Sequence, residues 1–178
     1  QTPGRIQFAV TTGGNMWVDI ASSEAANPLR NFRLLRLADE NADLDAEPFY
    51  QGFLDKIEPF AALRFMDWGA TNGNPLVHWD DRTDTGYFTY GTPAGVPYEV
   101  MIELANQTRK DIWICVPHAA DEEYVAQMAA LFKNGLDTGI TVYLEYRKEV
   151  WNWIFAQAHY NDQNRTNNLN YGRKKKKK

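Results

Sequence analysis

The chain has 178 residues, 44% of them hydrophobic, with 19 Lys and Arg, 23 Asp and Glu, and a formal net charge of −4. This length and apolar content suffice for a domain with a buried core and exclude bulk disorder. The single cysteine, Cys115, excludes an internal disulfide framework, and no apolar run approaches the ~18–20 residues of a membrane span.

The elements follow in chain order. Residues 5–11 and 16–21 alternate apolar and polar with period two around Gly13-Gly14-Asn15, which predicts a short N-terminal antiparallel hairpin. Phe32 to Leu37 reads as a strand. Phe49 to Phe60 carries helix-spaced apolar residues, and Ala62 to Met66 is a second strand. A long polar and aromatic loop runs from Asp67 to about Pro97, which suits the first residue of a helix through Ala105. Asp111 to Val116 is almost continuously apolar, the pattern of a strand covered on both faces. Asp121-Glu122-Glu123 opens a helix that Gly135 closes; Ile140 to Tyr146 is a fourth strand, and Val150 to about Tyr160 is helical. Alternating strands and helices predict an α/β fold with a parallel sheet. The expected organisation is a hairpin element over 1–22, an α/β domain over 23–160, and a flexible Asn-rich and poly-Lys tail over 161–178.

Charge and composition narrow the function. The five terminal lysines mask a body five charges more acidic than the total, which argues against nucleic-acid binding. The lysine run itself reads as a polyanion-binding arm, a solubility tag or the translated end of an A-rich message. With 6 Trp, 9 Tyr and 9 Phe, aromatic content is high. Aromatic rings beside carboxylates suit carbohydrate, although large rings also fill cores. A start at Gln1 fits a mature secreted product or a fragment cut from something longer, and two glycosylation triplets, at Asn106 and Asn164, add to the expectation of an extracellular protein.

The last three strands each end in a polar or aromatic cluster: Asp67-Trp68 with Asn72, then Pro117-His118, then Glu145-Tyr146 running on to Glu149, Trp151 and Asn152. Such ends carry the active sites of parallel α/β folds. Glu149, beside Trp151, is the candidate general acid; the alternative is a helix-start carboxylate paired with Arg147 or Lys148. His118 is a candidate for positioning a hydroxyl. Trp68 and Trp79 read as a sugar platform or as pins for the long loop. His78, His118 and His159 show no ligand spacing, and neither a metal nor any other cofactor is expected.

The segments Leu63-Arg64-Phe65-Met66-Asp67-Trp68, Pro97-Tyr98-Glu99-Val100-Met101, Pro117-His118-Ala119-Ala120-Asp121 and Val142 to Asn152 resemble secreted, glycoside-hydrolase-like (β/α)8 proteins described as cellulase-like or cellulose-binding. The resemblance implies a barrel-type sheet related to clan A of the glycoside hydrolases. It also implies a retaining enzyme on a β-linked glucan, with Glu149 as acid/base. Asp67, Trp68, Asn72, Trp79, His118, Tyr146 and Trp151 would then hold the polysaccharide or oligosaccharide. Arg147-Lys148 replaces the family's Ser-Asn, and the nucleophile's strand is not reached, which leaves Glu145, Asp67 and Glu99 as candidates. A full barrel needs ~250 residues, so a partial barrel, a truncation or a piece completed by another chain is expected. Open sheet edges would then favour a homo-oligomer. The alternative is a non-catalytic sugar-binding or self-assembling relative of a glycosidase.

Overall fold

A computed structural model of the chain describes residues 4–10, 17–30, 32–43, 46–87, 89–146 and 150–164. The chain divides into two units, Gln1–Asp43 and Leu44–Lys178.

The first unit departs from the expected pattern. Residues 5–10, 17–21 and 32–36 lie in no strand, and the predicted hairpin's connection, 11–16, lies outside the described residues. An isolated antiparallel bridge joins Glu24 and Asn27, and a 3-10 turn spans Leu37–Asp39. Two-residue alternation specifies a strand only when a neighbour supplies hydrogen bonds and an apolar face. Here Ile6 and Trp17 are 82% and 85% exposed, so neither is supplied.

The second unit is mixed α/β. Helix α1 (Gln51–Ile57) leads into β1 (Ala62–Arg64), α2 (Tyr98–Thr108) into β2 (Asp111–Val116), and α3 (Glu122–Gly135) into β3 (Val142–Tyr146); α4 covers 156–164. The predicted strand at 32–37 is missing from this series, and the last helix starts six residues later than expected. The strands form a parallel sheet in the order β1-β2-β3, with Ala62 opposite Asp111 and Ile112 opposite Val142. Among the described residues this sheet has three strands and does not close on itself.

Local chemistry fixes where the helices begin and end. Pro97 sits at the N-cap of α2 with an extended ψ. Arg109 ends that helix in the left-handed region, φ 56°, held by its guanidinium on Asp137 Oδ2 at 2.6 Å and on the Thr138 carbonyl at 3.1 Å. Asp121 caps α3: Oδ1 accepts the Tyr124 amide at 2.7 Å, while Oδ2 meets His78 Nδ1 at 2.7 Å. The cap therefore also ties the long loop to α3. Gly95, φ 82°, lets that loop close on the end of β1, because a Cβ there would lie 2.5 Å from the Trp68 carbonyl.

The core lies between the sheet and its crossover helices. Ile112, Ile114 and Val116 of β2 meet Met101, Leu104 and Ala105 of α2 and Tyr124, Met128 and Phe132 of α3. Each Ile, Val, Leu, Met and Phe side chain among them contributes about 1.5–3 kcal/mol by leaving water. The two helices are clipped at one end by Asn106, whose Nδ2 donates to the Gly135 carbonyl at 2.8 Å and whose Oδ1 accepts from the Asp137 amide at 2.9 Å. Among the described residues no helix is long and apolar enough to cross a membrane.

The core holds a polar pair. The hydroxyls of Tyr98 and Tyr124 bond to each other at 2.8 Å, inside a cage that includes Trp79 and Phe132. Burial pushes both phenols upward, so both stay neutral. Removing one hydroxyl orphans the other. Tyr98→Phe and Tyr124→Phe are each expected to cost about 1–2 kcal/mol in urea unfolding, and the double variant no more than either single one.

Candidate functional site

The second face of the sheet carries no helix from the described crossovers, and its residues are polar or aromatic. Register places Arg64, Trp113 and Tyr143 side by side across the three strands, and Cys115 beside Glu145 one step further on. Glu145 is the hub. Its Oε2 accepts from Arg64 Nη2 at 2.6 Å and from Trp113 Nε1 at 3.0 Å, with Cys115 Sγ at 3.6 Å. Arg64 also lies over the Trp113 ring, 4.9 Å from its centroid. The Trp113 and Tyr143 rings are 6.4 Å apart and remain 40% and 49% exposed.

Two opposed effects act on the Glu145 carboxyl. Partial burial pushes its pKa up, while the Arg64 hydrogen bond and charge, helped by Cys115 and Trp113, pull it down; the net shift is downward. The result is a fixed carboxylate, ionised at neutral pH, beside two exposed rings. The Cys115 thiol moves the other way: burial and the Glu145 charge raise its pKa against the neighbouring Thr71 hydroxyl, which lowers it. A buried thiol so tuned is not a nucleophile.

The carboxyl ends of the strands adjoin this face. Thr71 Oγ1 donates to the Met66 carbonyl at 2.8 Å, and Asn74 Nδ2 to the Gly69 carbonyl at 2.9 Å, which together shape the turn after β1. Gln157 of α4 is buried against the same turn. Its Nε2 donates to Asn72 Oδ1 at 2.9 Å and its Oε1 accepts from the Gly73 amide at 3.3 Å. Tyr160 of the same helix meets His118 edge to face at 5.2 Å. The helix thus joins the ends of β1 and β2.

The sequence-predicted site residues fall into four groups. Asn72 and His118 are brought together through α4, and Tyr146 ends β3. Trp68 and Trp79 are engaged in packing: Trp68 with Phe53 and Phe65, Trp79 with Tyr98, Tyr124 and the Arg82 guanidinium at 4.3 Å. Asp67 and Trp151 are exposed, the latter by 74%. Glu149, with Arg147 and Lys148, lies outside the described residues. Of the candidate nucleophiles, Glu99 is held by Arg82 through two bonds of 2.7 and 2.8 Å, which fixes it as a loop anchor. Among the described residues no group of three His, Cys, Asp or Glu side chains is placed to hold a metal ion.

Arg64, Trp113, Tyr143, Gln157 and Tyr160 were not singled out as site residues by the sequence. The signal for the first three was alternation: polar or aromatic residues at 64, 113, 115, 143 and 145 against apolar ones at 63, 112, 114, 116 and 142. The chain matches no family model, no curated protein and no solved structure.

Because Cys115 is the only cysteine, its ionisation can be followed by thiolate absorbance. Glu145→Gln removes the neighbouring negative charge and is expected to lower the pH midpoint of that titration. An unchanged or higher midpoint would mean that the carboxylate does not act on the thiol.

Proposed function

We propose that this chain binds a β-linked polysaccharide, such as a β-glucan, on the helix-free face of its sheet and along the carboxyl ends of the strands. The observation that carries this reading is the Glu145 carboxylate, oriented by Arg64 and Trp113 and flanked by the exposed Trp113 and Tyr143 rings. Sugar C–H faces stack on such rings, and a fixed carboxylate accepts hydroxyl hydrogen bonds with little ordering cost. Asn72, His118, Tyr146 and Trp151 extend the surface at the strand ends as further sugar contacts. Asp67 is solvent-facing beside them, while Trp68 and Trp79 support the loop that borders them. Consecutive parallel strands with crossover helices packed together suit the wall of a (β/α) barrel, and this reading makes the chain a partial barrel of glycoside-hydrolase type, working outside the cell.

A second reading is retaining hydrolysis, favoured by the same carboxylate. Glu145 would serve as nucleophile and Glu149, four residues on, as acid/base, which requires their carboxyls ~5–5.5 Å apart.

A glycan array followed by a reducing-sugar assay separates the two. Binding without sugar release is expected. Trp113→Ala and Glu145→Gln should each weaken the best hit by about tenfold or more, equivalent to about 1.4 kcal/mol, with circular dichroism unchanged. No β-glucan binding, or full affinity in Trp113→Ala, would contradict the proposal. Sugar release abolished by Glu149→Gln would instead establish the hydrolase reading.

A further inference from the structure

We infer that the glycan taken by the open face of the sheet is a single coiling chain of the laminarin type, in preference to the flat ribbon of cellulose. The inference rests on the carbohydrate reading above and adds to it the shape of the ligand.

The two exposed rings do not form a level platform. Trp113 and Tyr143 are register partners on β2 and β3; their centroids lie 6.4 Å apart and their planes are inclined by 41°. Part of that tilt comes from the backbone. Neighbouring strands turn by about 20–25° per step, so side chains that leave one face of a sheet fan apart. The rest is side-chain rotation, and at Trp113 that rotation is pinned. Its Nε1 donates to Glu145 Oε2 at 3.0 Å, and Arg64 Nη2 holds the same oxygen at 2.6 Å. The Arg64 guanidinium also lies over the indole, 4.9 Å from its centroid. Trp113 cannot swing towards the plane of Tyr143 without giving up the bond to Glu145 and the cation contact.

A ribbon and a coil meet such a pair differently. Stacking needs the C–H face of a sugar to lie parallel to the aromatic ring beneath it. In cellulose successive sugars share one plane, and a crystal face extends that plane, so a ribbon seated on one ring leaves the other inclined to it by 41°. In a laminarin-type chain each linkage turns the next sugar relative to the last, and the chain coils. Two successive sugars then each lie flat on a ring of their own, and the 6.4 Å between the rings is close to the advance of one sugar unit. Glu145, bonded to the edge of the indole, accepts a hydroxyl of the unit stacked on Trp113. A tilt fixed in advance by Glu145 and Arg64 selects the coil, because no side chain has to be reordered to receive it.

Calorimetric titration of the full chain with laminarihexaose and with cellohexaose, alongside a pull-down on microcrystalline cellulose, tests this. Laminarihexaose is expected to bind about tenfold or more tighter than cellohexaose, with the chain left in the supernatant over cellulose. Trp113→Phe keeps an aromatic ring but removes the Nε1 bond to Glu145. It should narrow the preference between the two oligosaccharides to within about threefold, with circular dichroism unchanged. Cellohexaose bound as tightly as laminarihexaose, or retention on cellulose, would overturn the inference while sugar binding itself stands. An undiminished preference in Trp113→Phe would overturn it as well, since the pinned tilt would then not be what selects. Binding of neither oligosaccharide and no retention on cellulose would overturn the inference together with the carbohydrate reading.

Discussion

Everything in the sheet depends on β2, among the described residues the one strand with neighbours on both edges. Its side chains divide between two solvents. Ile112, Ile114 and Val116 face the apolar layer of α2 and α3, whereas Trp113 and Cys115 face the side without crossover helices. Parallel strands need long crossovers, and these crossovers carry helices that pack together. Burial of one face is therefore a consequence of connectivity, and the other face must be compatible with water. The Arg64–Glu145 pair meets that requirement. At 41% and 26% side-chain exposure it is screened, and it orients the carboxylate more than it stabilises the fold.

The parts legible in sequence were those with local determinants. Pro97 and Asp121 mark helix starts through backbone geometry and capping, and the apolar run of β2 marks a strand, although the cover expected on both of its faces is supplied by crossover helices on one only and Trp113 stays 40% exposed. The strands expected at 5–11, 16–21 and 32–37 have the right alternation, but alternation is a statement about burial and needs a partner. None of the described residues supplies one, and Ile6 and Trp17 stay in solvent.

The candidate site was less legible for a different reason. Which strand residues share a face depends on register, and a slip of one position exchanges the two faces. Sequence alone could place Glu145 on a strand but could not bring it to Arg64, which lies 81 residues earlier. The two loop tryptophans show the same limit. Whether Trp68 and Trp79 stack on a ligand or on the protein is decided by Phe53, Phe65, Tyr98 and Tyr124, each brought close by the fold. Gln157 carries no motif at all; its role comes from α4 lying across the turn after β1.

The reading of the chain as a one-sided sheet with an aromatic, carboxylate-bearing open face is tested most directly by hydroxyl-radical footprinting of the full chain. Trp113 and Tyr143 should oxidise readily, while Met101 and Met128, on the helix side, remain protected. Trp113 as protected as Met101 would mean that the face is covered, and the account of both the sheet and its ligand surface would fail.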